Sequence, residues 1–138
     1  MIVKIGDLED DETAVGGYES VAVTGYFGSS ITEDYGVSIS SHFGEAISGQ
    51  CGFSRTEEGG SSITGNNGVA DTSLGGRAMA GYGGRIQIEC EEERFNQQTG
   101  SFECRIRLKV GYIGEGGLEP NIFYQVRDGR FVECEDQT

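Results

Sequence analysis

The sequence predicts an all-β fold: a parallel β-solenoid built as a two-sheet β-roll, with octapeptide strands, 16 residues per coil and a C-terminal antiparallel β cap. Three observations carry this expectation. From residue 21 the chain divides into VAVTGYFG, SSITEDYG, VSISSHFG, EAISGQCG, FSRTEEGG, SSITGNNG, VADTSLGG and RAMAGYGG, with glycine at 28, 36, 44, 52, 60, 68, 76 and 84. A small side chain occupies one column (Ala22, Ser30, Ser38, Ala46, Ser54, Ser62, Ala70, Ala78) and a hydroxyl the next but one (Thr24, Thr32, Ser40, Ser48, Thr56, Thr64, Thr72, then Ala80). The remaining columns alternate between octads: Val21, Val37, Phe53 and Val69 head the odd ones, whereas Ile31, Ile47, Ile63 and Met79 sit third in the even ones. Self-similarity at fixed period marks a stacked architecture. The alternation makes two octads one coil, because a three-sided coil would scatter the Ile31–Ile47–Ile63–Met79 series.

Each octad reads as a short strand followed by a turn. Period-2 geometry sends the small and hydroxyl columns to one face and the variable columns to the other. A face restricted to Ala, Ser and Thr implies a close backbone opposite, the interior of a narrow, flattened coil. Its hydroxyls need partners, either backbone carbonyls or the hydroxyl one coil away. The glycine column is expected where a turn needs φ > 0 or a close approach to the next coil. Roughly four and a half coils, at about 4.8 Å per strand, would stand about 20 Å tall.

The chain divides into an N-terminal acidic segment or cap (1–16), the octapeptide-repeat solenoid (17–88) and an antiparallel cap (89–138). The opening MIVKI reads as a first strand or cap, and DLEDDE (7–12) as a solvated acidic loop. RIQIECEEER (85–94) and SFECRIRLKVGY (101–112) alternate with period 2 and read as a hairpin closed by FNQQTG. Phe102, Cys104, Ile106, Leu108 and Val110 are expected inside. Glu89, Glu91 and Glu93 would lie opposite Arg105, Arg107 and Lys109, and Cys90 about opposite Cys104. NIFYQV and RFVEC flank Asp128–Gly129, a two-residue hairpin signal. Together these strands are expected to form a four-stranded cap that ends the stack and covers a sheet edge.

Strands reading SVAV, GSSI, GVSI and GEAI between glycine turns resemble the head repeats of trimeric autotransporter adhesins over residues 17–88. That resemblance implies a β-roll with a small-residue interior and with Val/Ile positions packed around a trimer axis. The tail GYIGEGGLEPNIFYQVRDGRFVEC is similar to the ends of uncharacterised phage and bacterial repeat proteins.

Both apolar ladders point away from the narrow interior, and a small protein seldom leaves such stripes in water. One is expected under the C-terminal segment. The other, Ile31, Ile47, Ile63 and Met79, is expected to be the interface of a homo-oligomer, a trimer first and a dimer next.

The formal charge of −13 disfavours nucleic acid as a direct partner and favours a basic protein. No signal-peptide pattern and no long apolar run is present, so the expectation is a cytoplasmic protein away from membranes. Cys51, Cys90, Cys104 and Cys134 match no metal spacing and are expected as free, mostly buried thiols. His42 falls in a turn with no motif-placed nucleophile, and the paired carboxylates Glu33–Asp34 and Glu57–Glu58 fall on opposite edges of the roll. No column is acidic, as calcium-binding β-roll repeats require. No catalytic residue, cofactor or metal is therefore expected.

The functional expectation is a non-enzymatic acidic binding protein, of the kind phages and mobile elements carry. It would inhibit a nucleic-acid-binding host factor, such as a defence nuclease, by presenting carboxylates where phosphates sit. Asp10, Asp11, Glu33, Asp34, Glu57 and Glu58 would make the contacts, flanked by the turn aromatics Tyr26, Phe27 and Tyr35. Pentapeptide-repeat DNA mimics offer an analogy of shape and charge. The alternative is a structural oligomeric module (fibre, spike or adhesin-like head) whose acidity is only solvation. The two readings separate on whether the acids gather on one face or spread around the body.

Overall fold

In the computed structural model, residues 2–5 and 13–134 are described. They form fourteen strands and no helix, arranged as a β-solenoid of about five turns at about 16 residues each. The strands are β1 (Ile2–Ile5), β2 (Thr13–Val15), β3 (Ser20–Val23), β4 (Ser29–Ile31), β5 (Val37–Ile39), β6 (Glu45–Ile47) and β7 (Phe53–Arg55). There follow β8 (Ser61–Ile63), β9 (Val69–Thr72), β10 (Arg77–Met79), β11 (Arg85–Asn96), β12 (Ser101–Tyr112), β13 (Tyr124–Arg127) and β14 (Arg130–Glu133). One sheet runs β1-β3-β5-β7-β9-β11-β12 and the other β14-β13-β10-β8-β6-β4-β2. Odd and even octads thus build separate sheets, as the alternating columns require. The parallel ladders begin at β1 and β2, upstream of the first glycine-marked octad.

Three-residue strands suffice because each is buried at its centre and, apart from the edge strand β2, paired on both sides. The small column is fully enclosed: Ala22, Ser30, Ser38, Ala46, Ser54, Ser62, Ala70 and Ala78 expose 0% of their surface. Ser30 donates to the Ile39 carbonyl at 2.7 Å and Ser38 to the Ile47 carbonyl at 2.7 Å, in each case across to the opposite sheet. Ser54 reaches the Ile63 carbonyl at 2.7 Å in the same way. The hydroxyl column bonds along the stack, with Thr32 to Ser48 at 3.0 Å and Thr56 to Thr72 at 2.8 Å. Both kinds of partner foreseen for the buried hydroxyls are present.

The turns correct one expectation. Positive φ falls on the residue before the glycine column, not on the column itself: Phe27 (57°), Tyr35 (58°), Phe43 (58°), Cys51 (57°), Gly59 (73°) and Asn67 (59°). The following glycine closes the turn, as where Gly60 donates to the Glu57 carbonyl at 3.2 Å. Positive φ at the third of four turn residues is type II geometry. It aims that residue's amide along the stack, so that Phe27 donates to the His42 carbonyl at 3.0 Å and Tyr35 to the Gln50 carbonyl at 2.9 Å. The glycine column answers the other demand, close approach. A Cβ on Gly68 would sit 2.7 Å from Thr64 Cβ and 2.9 Å from the Gly52 carbonyl oxygen.

The C-terminal region is two separate hairpins rather than one four-stranded cap. Arg85–Ile88 of β11 still pair in parallel with β9 before the strand runs on into the β11–β12 hairpin. The β13–β14 hairpin, turned by Asp128 and Gly129 at positive φ, joins the other sheet beside β10. Where the small column ends, Ile86 and Ile88 take the positions of Ala70 and Thr72 and meet Ile113, Leu118 and Tyr124 in an apolar core cluster. This plug closes the interior. Among the described residues it leaves both outer ladders uncovered; the edge of β10 is covered by β13 as expected, and β12 and β14 become the new sheet edges.

The hairpin register also differs. Cys90 pairs with Arg107 and Cys104 with Glu93, so the two cysteines are not opposite each other. Glu89, Glu91 and Glu93 pair with Leu108, Ile106 and Cys104, which places the carboxylates beside the apolar residues on one face. Arg105, Arg107 and Lys109 share the other face with Glu92, and Arg107 Nη1 lies 2.9 Å from Glu92 Oε2. The alternation of each strand was sound; its phase against the partner strand shifted by one residue, and a one-residue shift exchanges faces.

Candidate interaction surface

The sequence-predicted contact residues are divided between two opposite edges. Turns after odd strands bring Tyr26, Phe27, His42, Phe43, Glu57 and Glu58 together; turns after even strands bring Tyr18, Glu33, Asp34 and Tyr35. Asp10 and Asp11 lie outside the described residues. The seven described contacts therefore do not converge on one patch.

On the first edge, Phe27 stacks on Phe43 with ring centroids 5.5 Å apart, and the Phe43 ring covers Gly59, where a Cβ would approach to 2.6 Å. Tyr26 tilts against His42 at 4.9 Å. Glu57 Oε2 lies 2.8 Å from His42 Nδ1, and Ser41 Oγ lies 3.2 Å from the same nitrogen. A serine–histidine–acid relay uses the two imidazole nitrogens separately, so this cluster has a different geometry. On the second edge Tyr18 and Tyr35 meet edge to face at 5.5 Å, and Asp34 Oδ1 accepts from the Gln50 amide at 2.8 Å. The nearby Cys51 sulfur, and then Tyr18, raise the Tyr35 phenol above its ordinary range. These rings serve the turns, one coil resting on the next.

The outer face of the β2–β4–β6–β8–β10 sheet holds Ile31, Ile47, Ile63 and Met79 in strict register, with Val15 at the head of the column and 53% exposed. The four expected interface residues thus form a half-buried ladder. On the opposite sheet Val21, Val37, Phe53 and Val69 form the second. Beside it Arg55 donates to Asp71 Oδ2 and stands 3.9 Å from Glu89 Oε1. Burial nevertheless raises the Asp71 carboxyl above its ordinary range, against the pull of Arg55 and Arg85.

The surface that sequence reasoning misplaced is the β11–β12 arm. Phe95, Phe102, Ile106, Leu108, Val110 and Tyr112 are 50%, 66%, 60%, 51%, 39% and 52% exposed, and Cys104 is exposed among them. The alternation of SFECRIRLKVGY signals a strand with one buried face. Nothing in those residues says whether the covering layer comes from the same chain. None of the four cysteines is buried: Cys51 and Cys104 are exposed, Cys90 and Cys134 half-buried.

Carboxylates lie on both edges (Glu33, Asp34; Glu57, Glu58), on both outer sheet faces (Glu45; Asp71, Glu89) and along the arm (Glu91, Glu92, Glu93). Among the described residues no three His, Cys, Asp or Glu side chains gather in a metal-binding arrangement. Comparison of the chain with protein-family models, curated proteins and solved structures gives no match.

Proposed function

We propose that the chain is a non-enzymatic structural module, an acidic β-solenoid that acts by assembling with copies of itself. The observation that carries this reading is the pair of apolar ladders on opposite outer faces, neither covered by the described C-terminal hairpins, which extend the two sheets. Carboxylates spread over both edges and both sheets act as a solubilising coat around those faces, not as a single recognition surface. The Ile31–Ile47–Ile63–Met79 ladder is the lateral contact of a homotrimer or dimer, the arrangement that the resemblance to adhesin heads also implies. Sedimentation equilibrium tests it: the native chain gives a multiple of 14.8 kDa and Ile47→Glu gives a single chain. An unchanged mass in Ile47→Glu removes the ladder from the interface.

A second reading, inhibition of a nucleic-acid-binding protein by mimicry, is favoured by one feature. Glu89, Glu91 and Glu93 form a carboxylate column at about 6.7 Å spacing along β11. A duplex-competitive complex with a basic DNA-binding protein, lost in the triple Gln variant of these residues, supports mimicry. A complex that ignores those substitutions refutes it.

A further inference from the structure

We infer that the β11–β12 arm is a self-association surface, occupied by the same arm of a second copy packed face to face. The inference rests on the assembly reading above and assigns it a second contact, distinct from the Ile47 ladder.

Beyond residue 90 the arm is a two-stranded ribbon. Residues 91–95 of β11 and 101–108 of β12 are exposed. A lone hairpin is marginal in water and needs a third strand or a covering layer. Past residue 90 the arm has neither among the described residues, yet all twelve residue pairs from Arg85↔Tyr112 to Asn96↔Ser101 stay in continuous register without a bulge. Every second residue of β12 on one face, apart from Cys104, is a large apolar side chain. That pattern belongs to a strand whose face is covered.

Area and charge select a second copy as the cover. The exposed parts of the six large apolar residues amount to about 600 Å² at 150–250 Å² per large side chain. Two such faces bury about 1,200 Å² in total, the lower bound for a stable specific interface. The charge pattern then fixes the symmetry. Glu89, Glu91 and Glu93 form a column on one side of the apolar row, whose other side is the open edge of β12. A dyad running across the arm would set these carboxylates against their copies. A dyad running along the arm lays apolar row on apolar row and carries each carboxylate column over the partner's open edge. On its apolar face that edge strand bears no carboxylate, so neither column meets a like charge. A second copy in this orientation thus supplies the apolar cover without setting like charges together. The solenoid bodies fall on opposite sides of the joined arms and do not collide.

A dyad along the arm places each Cys104 across from its counterpart. A short bis-maleimide is therefore expected to give a crosslinked dimer from the native chain. Cys104→Ser abolishes that dimer, and Ile106→Glu reduces it by about tenfold or more, at an exposed site where the charge leaves the fold intact by circular dichroism. Loss of the crosslink in Cys104→Ser with retention in Ile47→Glu confirms the arm as a contact separate from the ladder. No Cys104-dependent crosslink in a chain that still sediments as an oligomer overturns the arm contact and leaves the assembly reading standing. A chain that sediments as a monomer overturns both.

Discussion

Thr24 Oγ1 lies 2.8 Å from Ser40 Oγ, sixteen residues further along the chain and one coil up the stack. The same offset joins Thr32 to Ser48 and Thr56 to Thr72, so the hydroxyl column is hydrogen-bonded in pairs along the stack, a segmented spine. Four hydroxyls also bond six residues on, as Thr24 does to Ser30 at 2.9 Å, and so tie the spine to the opposite sheet.

Thr64 breaks this pattern, and the break is testable. Its Oγ1 is buried without a partner among the described residues: Ala70 and Ala80 stand six and sixteen residues on, where Thr56 finds Ser62 and Thr72. An orphaned buried hydroxyl costs about 1–3 kcal/mol, whereas a made bond contributes about 1 kcal/mol. Thr64→Val is expected to be neutral or to stabilise by about 1 kcal/mol, and Ala80→Ser to stabilise by a similar amount. Urea midpoints at constant m-value measure both; clear destabilisation by Thr64→Val contradicts the spine.

At the small-residue column the interior is too narrow for a side chain the size of leucine. Ser54 is 0% exposed and spans the roll to the Ile63 carbonyl. Ser54→Leu is expected to cost at least about 1–3 kcal/mol by overpacking. Ser54→Ala costs about 1 kcal/mol for the lost bond. Equal effects of the two variants in chemical denaturation would argue against a flattened, closely packed coil.

Cys51 holds φ at 57°, a region where a side chain costs about 1–2 kcal/mol and glycine almost nothing. Cys51→Gly is expected to raise the melting temperature. Gly59→Ala is expected to lower it, because Gly59 combines a φ of 73° with the Phe43 ring lying against it. Calorimetry of the two variants side by side checks the sign of each change.

Asp71 sets a pH dependence of unusual sign. Burial raises its carboxyl above the ordinary value, so the folded chain binds the proton more tightly than the unfolded chain does. Its charged form is a burden above the folded pKa, relieved as pH falls through that value towards the ordinary aspartate range of about 3.9. Between about pH 7 and about pH 4 the native chain is expected to gain stability relative to Asp71→Asn. Unfolding free energies of the pair across that range read the trend, and a relative loss on acidification refutes it.

The repeat was legible because a solenoid writes its geometry into fixed columns. Octads, sixteen-residue coils, small interior and the Ile31–Ile47–Ile63–Met79 ladder all followed from spacing alone. Three features did not. The φ > 0 position was hidden because Phe27, Tyr35 and Phe43 occupy it, where turn chemistry favours glycine or asparagine. The hairpin phase was hidden because both strands alternate cleanly, so either register satisfies the pattern; the four-residue turn at 97–100 decides it. The exposure of Ile106 and Leu108 was hidden because alternation specifies a covered face without naming the cover. The turn carboxylates Glu33 and Glu57 were legible as residues, but their separation onto two edges follows only from the two-strand coil.

The central claim, that uncovered apolar faces assemble an acidic chain, meets its most direct test in the native mass as a function of salt. Salt screens the repulsion between copies of a chain carrying −13 and strengthens apolar contact. Light scattering from about 0.05 M to about 1 M sodium chloride is therefore expected to give a multiple of 14.8 kDa that holds or grows with salt. A mass of 14.8 kDa throughout that range, at concentrations of tens of micromolar, would contradict it.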